Sequence, residues 1–158
     1  MWRKILSILS VCLITACQPS SRTQLAPPQI SEVEGTKAQR IETVTKILVN
    51  QEPLPSPLQD AYFLQQKIGD GELGPSDYVS FAMLDINPGD LSAWRSKLLL
   101  LKKRPGYAQP QSLKDWWVTA ADYPTLELYE LSPYTNRIHG WIGIDPKTSK
   151  IYVFTFTT

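Results

Sequence analysis

The chain has 158 residues, of which 42% are hydrophobic and 20% are charged, and its formal net charge is +1. This composition is typical of a globular protein and excludes a fully disordered chain. The balanced charge gives no electrostatic footprint for nucleic acid, and it argues against a broadly basic membrane-binding surface. We therefore expect no nucleic-acid partner.

The first 17 residues have the layout of a bacterial export signal. Arg3 and Lys4 form a short positive start, and residues 5–16 carry no charge. This uncharged stretch is too short for an ordinary membrane-spanning helix, which needs about 20 residues. Residues 14–17 read Ile-Thr-Ala-Cys. They resemble the lipobox of bacterial lipoproteins, in which an aliphatic residue and two small residues precede the cysteine that becomes lipidated.

The resemblance implies that residues 1–16 are a signal peptide and that Cys17 carries diacylglycerol on its sulfur, often with a further acyl chain on the new amine. Two or more acyl chains hold a protein stably at a membrane. Gln18 stands where aspartate would favour the inner membrane, so we expect an outer-membrane anchor that faces the periplasm. Cys12 would be removed with the signal, which leaves the mature chain no free thiol. The alternative is an ordinary secretory signal with a chance cysteine.

A linker and one domain are predicted after the signal. Residues 18–36 are dominated by polar residues and proline, a composition typical of linkers. In an extended polyproline-like state at ~3.1 Å per residue, such a linker reaches about 60 Å. We therefore expect a lipidated cysteine with a flexible linker at residues 17–36 and a single α+β domain at residues 37–158.

Three helices are predicted in the first part of this domain. Apolar residues at steps of three and four predict the first helix at residues 37–50, with Thr36 as its cap. The same spacing predicts a second helix at residues 58–68. A third helix is expected at residues 88–104, because Asn87 can cap it and basic residues stand at its end.

Strands are predicted in the remainder. Residues 77–86 are apolar on both sides, which is typical of a central strand. Trp116 and Trp117 begin a short candidate strand, residues 116–119, and we expect one ring in the core and the other at the surface. Three alternating segments predict an antiparallel meander at residues 126–131, 137–144 and 150–157. The expected fold class is α+β, an antiparallel sheet of four to five strands ending in this meander, with helices packed on one face.

Two sequence features are candidates for ligand binding or catalysis. Residues 69–74 match the spelling G-x-G-x-x-G, but they follow a predicted helix and precede a strand, which is the wrong context for phosphate binding. We interpret them as an acidic turn and expect no cofactor and no metal. His139 is the single histidine; catalysis would need a nucleophile and an orienting carboxylate, such as Asp122 or Asp145.

Aromatic residues mark one face of the predicted meander. Alternation puts Ile138, Ile142 and Ile144 on one face of their strand. The opposite face carries Arg137, His139 and Trp141, with Tyr152, Phe154 and Phe156 on the next strand. These residue types are enriched at binding hot spots. The candidate binding residues are Arg137, His139, Trp141 and Tyr152. The alternative is that a loop or helix of the protein covers this face.

Three functions follow from these patterns. The leading hypothesis is a membrane-anchored envelope lipoprotein that acts as a non-enzymatic binding module for a protein or an envelope polymer such as peptidoglycan or another glycan. The second is a small envelope hydrolase that uses His139 with a carboxylate. The third is a structural envelope protein. The position of His139, in a cleft beside a carboxylate or on an open face, separates the first two.

Overall fold

The structure, a computed structural model, describes residues 30–48, 52–68, 77–131, 135 and 139–157. Within these ranges the strands are β1 (Ile30–Glu32), β2 (Leu58–Ile68), β3 (Asp77–Ile86), β4 (Glu127–Tyr129), β5 (His139–Asp145) and β6 (Lys150–Phe156). The α-helices are α1 (Lys37–Leu48) and α2 (Leu91–Ser96). All six strands join one antiparallel sheet in the order β1-β2-β3-β6-β5-β4. The α+β class is confirmed, but the sheet has six strands rather than four to five.

The meander and the central strand agree with the sequence. β4, β5 and β6 pair in succession, as expected for a three-stranded meander. β3 lies between β2 and β6 and is buried over most of its length. The turn between β5 and β6 is fixed by Asp145, whose carboxylate accepts bonds from the backbone N–H of Lys147 at 2.9 Å and the hydroxyl of Thr148 at 2.6 Å.

The first helix is also confirmed. Thr36 and Gln39 form a reciprocal cap: the backbone N–H of Thr36 donates to Gln39 Oε1 at 2.9 Å, and the backbone N–H of Gln39 donates to Thr36 Oγ1 at 3.4 Å. This arrangement satisfies two backbone donors that the helix itself leaves unpaired. Val44 and Leu48 are the buried residues of the helix and pack on the sheet.

The predicted second helix is wrong, because residues 58–68 form strand β2. Ala61 and Phe63 pack in the core cluster shared with the helices, whereas Leu64 packs in the cluster on the other face. Since both faces of β2 are covered, its apolar residues do not alternate with polar ones. A strand of this kind matches a helical spacing as readily as a strand spacing.

The third helix is shorter than predicted. Residues 88–90 form a 3₁₀ turn and α2 ends at Ser96, so residues 102–104 do not lie at its end. Instead, residues 99–101 run beside β4: the backbone N–H of Glu130 donates to Leu99 O at 2.8 Å, and that of Leu101 donates to Leu128 O at 2.9 Å. The backbone N–H and C=O groups at the outer edge of β4 would otherwise lack strand partners. Residues 99–101 bond to them instead of continuing the helix.

Both faces of the sheet are covered. α1 and α2 lie on one face, as expected, and bury Val44 and Trp94 there. The other face is covered by residues 102–126, which contain a 3₁₀ turn at Tyr123–Thr125 but no strand. The predicted strand at residues 116–119 is therefore wrong, because these residues form a turn and irregular backbone, with Trp117 and Val118 buried on the sheet.

The sheet begins inside the segment expected to be a linker. β1 pairs with residues 64–66 of β2, and the backbone N–H of Val33 donates to Phe63 O at 3.0 Å. Three residues are too few to show a strand period, which is why the sequence did not separate β1 from the linker. Cys17 and the segment 69–74 lie outside the described residues. Neither of the two described α-helices is both long and apolar enough to cross a bilayer.

Candidate functional site

The aromatic face of β5 and β6 is covered by the protein itself. Trp141 is 1% exposed, and its ring lies 5.8 Å from that of Trp117 and 5.4 Å from that of Tyr123. Tyr152 is also buried, with its ring 5.5 Å from that of Trp117. The predicted binding surface is therefore wrong for Trp141 and Tyr152, and the alternative of a covering loop is correct. Arg137 lies outside the described residues.

Residues 102–126, which we call the covering segment, are held in their conformation by hydrogen bonds within the segment. Trp117 Nε1 donates to Ala108 O at 2.9 Å, and the hydroxyl of Tyr107 donates to Val118 O at 2.8 Å. Arg104 donates to the backbone oxygens of Tyr123 and Leu126 at 3.0 and 2.8 Å. These bonds pair the polar atoms of an irregular segment, as burial requires. The segment has no helical or strand period, so its position over the sheet could not be predicted from the sequence.

His139 and its candidate carboxylates are not brought together. Its half-exposed ring stacks on Phe156, with the ring centroids 5.3 Å apart. Asp145 stands at the opposite end of β5, and six steps of ~3.4 Å put about 20 Å between the two residues along the strand. Asp122 accepts a hydrogen bond from the hydroxyl of Thr119 at 2.6 Å. Among the described residues, His139 forms no ion pair with a carboxylate.

A groove of about 420 Å³ opens at the β1 edge of the sheet, and we call it the edge groove. Its walls are β1 with the turn into α1, Tyr62 of β2, and the segment of residues 113–116. A neighbouring groove of about 440 Å³ lies on the other side of that segment. The residues that line both grooves are Leu113, Lys114 and Asp115.

A stacked aromatic pair forms part of the wall of the edge groove. The rings of Tyr62 and Trp116 lie 5.7 Å apart with an interplanar angle of 20°. The guanidinium carbon of Arg40 lies 4.5 Å from the centre of the Tyr62 ring, which is within the range of a cation–π contact. Among the four tryptophans that the structure describes, Trp116 alone is not buried.

Two ion pairs fix the walls of the groove. Arg40 Nη2 donates to both carboxylate oxygens of Asp60 at 2.7 and 2.8 Å, and its other nitrogens donate to the backbone oxygens of Gly35 and Ala61. The hydrogen bond with Asp60 raises the pKa of Arg40 above its usual value. Lys114 pairs with Glu32 at 2.6 Å and thereby ties the covering segment to β1. These four charged groups are partnered within the protein.

Three other residues that line the groove are exposed to solvent. Leu113 is 79% exposed, and the side chains of Glu34 and Asp115 are exposed at the rim. The described residues that line the groove include no Ser, Thr, Cys or His. Nor do the described residues contain a group of three or more His, Cys, Asp or Glu that could hold a metal ion. The groove can therefore bind a ligand by stacking, apolar contact and hydrogen bonds, but its lining offers no hydroxyl or thiol nucleophile of Ser, Thr or Cys.

The sequence predicted part of this site. The expectation that Trp116 and Trp117 divide between surface and core is confirmed, since Trp117 is 5% exposed and Trp116 is only partly buried. Tyr62 was missed because it was assigned to a helix, and Glu32 because it was assigned to the linker. Strand pairing and the covering segment place both of them in the wall of the groove together with Trp116, and no local sequence pattern predicts that arrangement.

Comparisons with protein-family models, curated proteins and solved structures give no match at a significant level.

Proposed function

We propose that this chain is a lipid-anchored lipoprotein of the bacterial envelope, facing the periplasm, and that it acts as a non-enzymatic binding module. Its partner is a protein or an envelope polymer, and the edge groove is the binding site. The anchor rests on the lipobox-like sequence at residues 14–17. The binding role rests on the groove.

The observation that carries the binding role is the stacking of Trp116 on Tyr62 at a partly exposed position. Tryptophan and tyrosine present a rigid apolar surface together with a polar atom, and both are enriched at binding hot spots. The covering segment is already anchored on the sheet by Trp117 and Tyr123, both buried. The Trp116 ring can therefore contact a ligand, whereas the buried rings of Trp117 and Tyr123 cannot.

The shape and polarity of the groove also favour binding. Ligand sites combine a concave apolar surface with a few polar groups that fix orientation. Here Leu113 and Trp116 supply the apolar part, and Glu34 and Asp115 supply carboxylate acceptors at the rim. A binding role is favoured over hydrolysis because His139 stacks on Phe156, outside this groove.

Photo-crosslinking in cells tests the proposal. A photoreactive amino acid at Asp115, which lines both grooves, should give a discrete crosslinked product in the full-length chain. The matched control is the same amino acid at Lys147, an exposed residue in the turn between β5 and β6. A product from both positions, or from neither, would contradict a binding site at the groove.

A further inference from the structure

The edge of the sheet opposite the edge groove carries a second unusual surface. Residues 99–101 lie outside β4 and close that edge, with Leu100 opposite Tyr129. Leu99 and Leu100 are each 66% exposed. Because successive side chains of an extended segment point to opposite faces, the two leucines flank the outermost rim of the sheet.

Basic residues adjoin these leucines. Lys102 and Lys103 follow directly and are exposed, and neither forms an ion pair with another described residue. Nearby charges largely cancel, because Arg95 pairs with Glu127 and Lys97 pairs with Glu52. Glu130 adds one exposed carboxylate. The rim therefore combines two exposed leucines with a local excess of positive charge, although the chain as a whole is nearly neutral.

We propose that this rim, residues 99–103, rests on an anionic lipid bilayer. Leu99 and Leu100 enter the interface between headgroups and acyl chains, while Lys102 and Lys103 contact the lipid phosphates. Apolar burial and attraction to anionic headgroups are the two contributions that hold a peripheral surface on a membrane. The proposal rests on the proposed lipid anchor, which keeps the domain beside a bilayer.

The length of the tether is compatible with this orientation. From β1 to residues 99–101 there are six inter-strand spacings, which at ~4.8 Å each amount to about 29 Å. Thirteen residue steps from Cys17 to Ile30 would span about 40 Å in an extended polyproline-like state at ~3.1 Å each. The anchor can therefore reach the bilayer while β1 lies on the far side of the domain. In that orientation the edge groove, with the exposed Glu34 and Asp115 at its mouth, faces away from the anionic surface.

Site-specific fluorescence tests the orientation. The full-length protein is purified from cells and reconstituted with vesicles of phosphatidylglycerol and phosphatidylcholine, with an environment-sensitive dye on Leu100→Cys. Leu113→Cys is the matched control, because Leu113 is an exposed leucine at the opposite edge. We expect a blue shift and quenching by brominated lipid at position 100 but not at position 113. Lys102→Glu combined with Lys103→Glu, or vesicles of phosphatidylcholine alone, should reduce the quenching several-fold.

Equal lipid quenching at both positions, or none at position 100, would overturn the proposal. A blue shift at position 100 that depends on protein concentration and needs no lipid would also overturn it, since a second copy would then occupy the rim. The intact mass of the same sample reports lipid on Cys17 separately. If that mass shows no lipid, the anchor fails, and the rim is then tested separately by adding to vesicles the dye-labelled Leu100→Cys protein that also carries Cys12→Ala and Cys17→Ala.

Discussion

The ring of Trp141 lies 5.8 Å from the ring of Trp117, so the segment that carries Trp117 occupies the face of β5 that a partner would otherwise contact. Trp141 is consequently a core residue. A binding site on this side of the molecule has to be formed by the covering segment and the edge of the sheet rather than by the strands beneath. Trp116 is placed at that edge by its stacking on Tyr62.

Trp141→Ala should mainly affect folding. The substitution leaves a cavity where a fully buried ring stood, and we expect the free energy of unfolding to fall by about 3–5 kcal/mol. Chemical denaturation measures the loss. Trp116→Ala is the control and should lower stability much less, because that ring is partly exposed. Similar losses for the two variants would contradict the assignment of Trp141 to the core and of Trp116 to the surface.

Local patterns predicted the elements whose stabilising contacts are near in sequence. The cap at Thr36 and the apolar character of both faces of β3 were predicted from neighbouring residues. β2 was misassigned because both of its faces are buried, so its apolar residues do not alternate with polar ones. The pairing of residues 99–101 with β4 and the contact of Tyr62 with Trp116 join distant parts of the chain, so only the folded structure reveals them.

Burial of the Tyr152 phenol predicts a loss of stability at alkaline pH. Burial, with smaller contributions from Asp145 and Asp122, raises the pKa of Tyr152 to about 12, compared with about 10 in an unfolded chain. Between these values the unfolded chain releases the phenol proton and the folded chain keeps it. The stabilising contribution is therefore complete below pH ~10 and is lost as the pH rises toward 12, by about 2–3 kcal/mol.

Denaturation of the wild-type protein and of Tyr152→Phe at several pH values between 8 and 12 measures this effect. The phenylalanine variant lacks the titrating group, so its stability should fall less steeply above pH 10. Parallel curves for the two proteins would show that the Tyr152 hydroxyl is not protected from ionisation in the folded state.

Two truncations locate the start of the domain. A chain that begins at Ile30 should keep the stability of the longer protein. A chain that begins at Thr36 loses β1 and the Lys114–Glu32 pair. Two or three backbone hydrogen bonds and a partly exposed ion pair contribute about 2 kcal/mol in total, which thermal unfolding can resolve. Equal midpoints for the two chains would place β1 outside the cooperative fold.

Lipid attachment should depend on Cys17 alone. The chain has one other cysteine, Cys12, which lies within the expected signal peptide. Labelling of cells with a radioactive fatty acid should mark the wild-type protein and leave Cys17→Ala unlabelled. Persistent label on the variant would exclude Cys17 as the anchor.

The binding role of the edge groove is tested most directly by Leu113→Asp in the full-length chain. Leu113 is 79% exposed and lines both grooves, so an added charge there should leave the thermal midpoint unchanged. It should also weaken apolar contact with a ligand. The measurement is the yield of the crosslinked product from position 115, taken together with the midpoint of the same sample. We predict a fall in affinity of about tenfold, seen as a clear loss of crosslinked product at an unchanged midpoint; an unchanged yield would contradict the account.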